Sequence, residues 1–193
     1  MNARIEAIQK HTADMLAVER HILEAVERQQ EDGNVKSNAR ANKVIIEVER
    51  TLKRHVTALE SLSRQYEGGM ESFLKKAITE VMGAVAGLYD KVREHTVSRM
   101  LRDDYTALSL AAMSYTAYHA FGLAISEERI SALAQRHLED LTPLLVEISK
   151  VLPHVVVAEV AEENDDFVVD ATVGAIAEAN TQRAWEPEVT SVV

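Results

Sequence analysis

The chain has 193 residues, 47 % hydrophobic and 27 % charged, and its 31 acidic against 21 basic side chains give a net charge of −10. That length suits one well-buried domain, and the acidic balance excludes broad nucleic-acid binding, which needs a basic face to displace phosphate counterions. With no cysteine, there is no disulfide framework, thiolate nucleophile or cysteine-bound zinc or iron–sulfur centre.

Glycine (7) and proline (3) are scarce, and no proline precedes position 143, so nothing forbids helix through the first 140 residues. The N-terminal residues are already amphipathic and lack the apolar core of a signal peptide, which fits a cytoplasmic protein. The first predicted helix covers residues 3–31. Its stripe runs Ile5, Ile8, Thr12, Met15, Ile22, Val26, and Glu19 interrupts it. Gly33 and Asn34 suit a left-handed C-cap, and the short turn sends the next helix back antiparallel over residues 37–66. There Ile45, Val48, Leu52, Leu59, Leu62 and Tyr66 keep spacings of three and four, with His55 inside the stripe.

Gly68 and Gly69 end that helix. A third helical stretch, 70–99, carries Leu74, Ile78, Val81, Val85, Leu88 and Val92 on one stripe and reads as a long crossover. A fourth helix spans 101–125, and from Tyr105 to Ser126 it holds no charged residue. Its hydroxyls and His119 make it too polar for lipid contact, so a buried bundle helix is expected rather than a membrane span. Tyr105, Tyr115 and Tyr118 fill its core face or stand beside a metal as redox neighbours.

Ser126 then reads as an N-cap before first-turn acids Glu127 and Glu128. A fifth helix covers 127–152, with a kink expected at Pro143. Its stripe is Ile130, Leu133, Leu141, Leu144, Ile148 and Val151, interrupted by His137. The domain is therefore placed at residues 1–153, followed by an acidic C-terminal tail, 154–193, that is either a solvated extension or a docking segment for a protein partner.

Glu19, His55 and His137 thus each point from a helix into the core. Two arrangements satisfy them: a divalent metal such as iron or zinc, with Glu139 and Asp140 available to supplement the ligands, or a hydrogen-bonded network that fixes helix register. A dimetal site needs a Glu from each of two helices and Glu-x-x-His from the other two. Here Leu52 and Ala134 stand three residues before the histidines, and Ala117 is the repeat counterpart of Glu19. His11, His21 and His119 fall at the edge of the stripes.

A faint internal repeat aligns Lys53-Arg54-His55-Val56-Thr57-Ala58-Leu59 with Gln135-Arg136-His137-Leu138-Glu139-Asp140-Leu141. Together with Gly69-Met70-Glu71-Ser72-Phe73-Leu74, Arg102-Asp103-Asp104-Tyr105 and Phe121-Gly122, in that order and spacing, the chain resembles the ferritin-like superfamily, most closely its bacterial stress-associated group. The resemblance covers about residues 10–152. It implies an all-α, ferritin-like four-helix bundle with a long crossover helix, a homodimer and a role in stress response. Where that group has an acidic pair in its fourth helix, this chain has Ser114 and Ala117, so Glu19, His55, Glu139 and Asp140 are the positions that carry over. Two functions follow as expectations: a non-catalytic or weakly metal-binding protein acting through dimerisation or partner binding, or a metal-dependent oxidoreductase on Glu19, His55, His137, Glu139 and Asp140.

Overall fold

Capping chemistry sets the helix boundaries. In the computed structural model, which describes residues 3–66, 70–85, 96–163, 168–170 and 172–185, α1 is Ala3–Glu31, α2 Gly33–Ser37, α3 Ala39–Ser63, α4 Met70–Val85, α5 Val97–Ala124, α6 Glu128–Glu163 and α7 Val173–Trp185. The chain is all-helical among the described residues. Gly33 and Asn34, expected to close the first helix, instead open α2. Asp32 accepts hydrogen bonds from the Asn34 and Val35 amides and so nucleates a new turn. Asn38 ends α2 and caps α3 by accepting from the Ala41 amide.

α5 starts four residues earlier than the periodicity suggests, at Val97, because the Thr96 hydroxyl accepts from the Arg99 amide. Ser126 is not the N-cap of α6. It takes φ 53°, the left-handed residue of a Schellman closure in which the Ser126 amide donates to Leu123 O and the Glu127 amide to Gly122 O. Glycine at 122 serves close packing: a Cβ there would lie 2.6 Å from the backbone nitrogen of Ser131, so glycine lets α5 and α6 close at their shared end.

α1, α3, α6 and α5 pack in that cyclic order, each neighbour antiparallel. Gln9 donates to Tyr66 O near one end of α1 and Gln30 donates to Glu49 near the other. Thr12 meets Tyr118, and Gln29 donates to Asp104, which orients α5. Arg129 donates to Gln65, and Ser98 N–H donates to Glu159 at the opposite end. Between Tyr66 and Thr96 the chain must therefore travel from one end of the helices to the other. α4 is the described part of that passage and packs along α1.

The core follows the predicted stripes closely. Ile8, Met15, Ile22, Val26, Ile45, Val48, Leu52, Leu59, Leu62, Ile130, Leu141, Leu144, Ile148 and Val151 are buried, while Ile5 at the stripe's outer end is exposed. The crossover stripe behaves differently: Ile78 is exposed, and α4 meets α1 through Ala77 against Ala13 and Ala17, with Phe73 and Leu74 beside them. Leu88 and Val92 lie outside the described residues. α5 is not buried all round, since Leu110, Met113 and Leu123 are exposed. No described helix is long and apolar enough to cross a membrane.

The last bundle helix also runs past its expected end at residue 152. α6 continues through both Pro143 and Pro153 to Glu163; the backbone donor lost at Pro153 is outweighed by burial of Val151 and Val155 on either side. α7 then packs back on α6. His154 Nε2 and Glu178 Oε2 are 2.8 Å apart, Gln182 donates to Ser149 Oγ, and the Trp185 ring lies 5.8 Å from that of Tyr105. Gly174 sits against His154, where a Cβ would come within 2.7 Å of Nδ1. The segment expected to be either a solvated extension or a docking segment for a partner thus contributes a helix that packs on α6 of its own chain, and Phe167 lies outside the described residues.

Candidate metal centre

Glu19 on α1, His55 on α3 and His137 on α6 converge because each occupies a core position of its stripe at the same level of three neighbouring helices. All three are buried, Glu19 completely. Among the described residues they are the one set of three whose donor atoms lie close enough for a shared ion, within 4.8 Å of one another. A tetrahedral ion with bonds of about 2.0 to 2.2 Å spaces its donors by roughly 3.3 to 3.6 Å, so binding requires the donors to close inward and the parallel histidine rings to tilt toward one point. Two imidazoles and one carboxylate form a donor set that suits zinc with an open position or ferrous iron.

The histidine rings stack, with centroids 3.7 Å apart and planes 3° from parallel. Each ring has a nitrogen held from outside. His55 Nε2 donates to Asp140 Oδ2 at 3.2 Å, and Asp140 is shared with Arg54 at 3.5 Å. His137 Nδ1 lies 2.8 Å from the hydroxyl of Tyr115, a fully buried residue. With Nδ1–H donating to that phenol, His137 Nε2 carries the lone pair. His55 Nδ1 donates to Glu19 Oε1 at 3.1 Å. The second carboxylate oxygen, Oε2, is buried and accepts no hydrogen bond of ordinary length.

Electrostatics follow from this crowding. Burial, with the His55 ring and the Arg136 and Arg54 guanidiniums adding to it, lowers His137 from 6.5 to about 3, so it stays neutral and able to ligate. Burial, with the Glu19 carboxylate nearby, pushes the Tyr115 phenol well above its ordinary value, so it remains a protonated hydrogen-bonding group.

Of the residues singled out from the sequence, Glu19, His55 and His137 come together. Asp140 borders the set, holding the far side of His55. Glu139 does not join: it is exposed and accepts from Gln135 on the outer face, because two residues past His137 is more than half a helical turn away. His11 and His119 take edge positions as expected, His11 against the Phe121 ring and His119 Nδ1 2.8 Å from Ser131 O. Tyr115, expected either to fill the core or to stand beside a metal, is buried against His137, whereas sequence reasoning had no role for Asp104, a fully buried carboxylate that accepts from Gln29. Their common signal is a polar group on the buried stripe of α5, where Leu101, Leu108 and Ala111 also lie.

Comparison of the chain with protein-family models, characterised proteins and solved structures gives no match. The functional reading therefore rests on the site itself.

Proposed function

We propose that this chain is a ferritin-like helical-bundle protein that binds a single divalent cation, zinc or ferrous iron, weakly at Glu19, His55 and His137, and that it works through self-association or partner binding rather than turnover. One observation carries the metal reading. Both histidines have an outer nitrogen held, by Asp140 and Tyr115, in the pattern that fixes ring orientation and tautomer of metal-ligating imidazoles. Glu19 brings a buried carboxylate within 4.8 Å of a nitrogen of each ring, and its Oε2 accepts no hydrogen bond of ordinary length.

Weak binding follows from charge and from the bonds that must be exchanged. The three ligands carry a net −1, and an ion entering between Glu19 and His55 displaces the Nδ1 proton that now bonds the carboxylate. A second, bridged metal lacks ligands, since Leu52, Ala117 and Ala134 stand where a dimetal bundle places carboxylates. Iron oxidation or peroxide chemistry at such a pair is accordingly disfavoured against simple binding. The ferritin-like reading is supported by the cyclic packing of α1, α3, α6 and α5 and the end-to-end passage that includes α4. The resemblance described above supports a stress-related role.

The test is metal content by mass spectrometry of the full chain purified without chelator, beside Glu19→Ala and His55→Ala. Stoichiometric or near-stoichiometric zinc or iron that disappears in both variants supports the reading. Metal-free protein that also gains none on reconstitution would refute it and leave the three residues as a register-fixing network.

A further inference from the structure

The charge-free stretch of α5 has two faces, and among the described residues only one is packed against the rest of the chain. Tyr115, Tyr118, Leu108 and Ala111 are buried. On the other face Thr106, Leu110, Met113, Ala117, Ala120 and Ala124 are all exposed, Met113 to 66 %. Their spacing alternates four and three, the repeat of a seam between two helices, over about 27 Å at 1.5 Å per residue. Among the described residues nothing covers this face, which carries no charge although 27 % of all residues are charged.

We infer that this face is covered by α5 of a second copy of the chain, running antiparallel about a two-fold axis beside Tyr115. Two features select a second copy as occupant. First, the chain carries −10, so two copies repel on average and meet at least electrostatic cost where charge is absent. A partner recognised by charge has nothing to pair with here. Second, the stripe is complementary to itself. In an antiparallel pair centred at Tyr115, Leu110 faces Ala120, Met113 faces Ala117 and Thr106 faces Ala124, so every larger side chain meets a small one, as a two-fold interface requires. A parallel pair would set Met113 on Met113 and leave the alanines facing across a gap. Leu123, also exposed, flanks the seam.

This inference sharpens the self-association part of the proposed function and is independent of the metal. It is tested by sedimentation of the full chain over a concentration series. The wild type is expected at twice the 21.4 kDa chain mass. Met113→Glu buries a carboxylate at the seam and should weaken association at least about tenfold while thermal unfolding by circular dichroism shows an intact fold. Ala117→Met sets methionine against methionine and should also weaken it, whereas the exchange Met113→Ala with Ala117→Met rebuilds the large-against-small pairing and should restore the dimer. A wild type that stays monomeric at every concentration, a dimer indifferent to Met113→Glu, or an exchange variant no better than Ala117→Met would overturn the inference. Metal content of the same samples reports separately on the core site, so a monomer that keeps its ion sinks this inference alone.

Discussion

The imidazoles of His55 and His137 lie face to face, 3.7 Å between centroids, although only His55 is flanked by carboxylates. Stacked rings at that separation do not both take a positive charge, and burial holds His137 neutral. Its pKa is about 3 in the folded chain against an ordinary 6.5. Between those values the unfolded chain takes up a proton that the folded chain refuses, so this contribution to stability is complete above pH 6.5 and is lost as pH falls toward 3. We expect metal-free protein to lose roughly 1 kcal/mol between pH 7.5 and 5.5 from this residue. Urea unfolding at both pH values checks it, with His137→Gln predicted to flatten that part of the slope. His11 and His21 are lowered in the same direction by burial and remain in both proteins.

Removing His55 should be far worse than neutralising Glu19. His55→Ala strands a fully buried carboxylate without its partner, at about 3 to 5 kcal/mol, whereas Glu19→Gln keeps a polar group able to bond His55. Chemical denaturation in excess chelator separates this cost from metal binding. Equal losses in the two variants would contradict the pairing described.

Tyr115→Phe deletes only the hydroxyl that holds His137 Nδ1. Loss of such an outer partner commonly weakens metal binding by about 10- to 100-fold, and a Zn2+ competition titration should show at least the lower figure. The fold should persist, with a stability loss of about 1 to 3 kcal/mol for the unpaired nitrogen.

Gly174→Ala places a methyl group against His154 and should lift α7 from α6. Trp185, the sole tryptophan, reports this directly, because it leaves the Tyr105 ring. A red-shifted emission and faster proteolysis between α6 and α7, with the main unfolding transition retained, are the expected outcomes.

Helical periodicity made the core legible: Glu19, His55 and His137 stood out because each interrupts a regular stripe, and a residue on a stripe must face inward whatever its chemistry. Asp140 and Glu139 were adjacent in sequence and looked equivalent, yet helical rotation puts only Asp140, one turn beyond His137, beside His55. Pro153 looked like a stop because local propensity knows nothing of Val155, whose burial against the other helices holds α6 together past it. α7 was hidden for a related reason. Its docking depends on a missing side chain at Gly174 and on single polar contacts from Glu178 and Gln182, none of which forms a period.

The most direct measurement of the account is calorimetric titration of chelator-treated protein with Zn2+ in two buffers of different ionisation enthalpy. We predict one ion per chain with release of about one proton, from His55 Nδ1, and no binding by Glu19→Ala. Absence of binding by the wild type, or binding unchanged in Glu19→Ala, would contradict a metal centre at Glu19, His55 and His137.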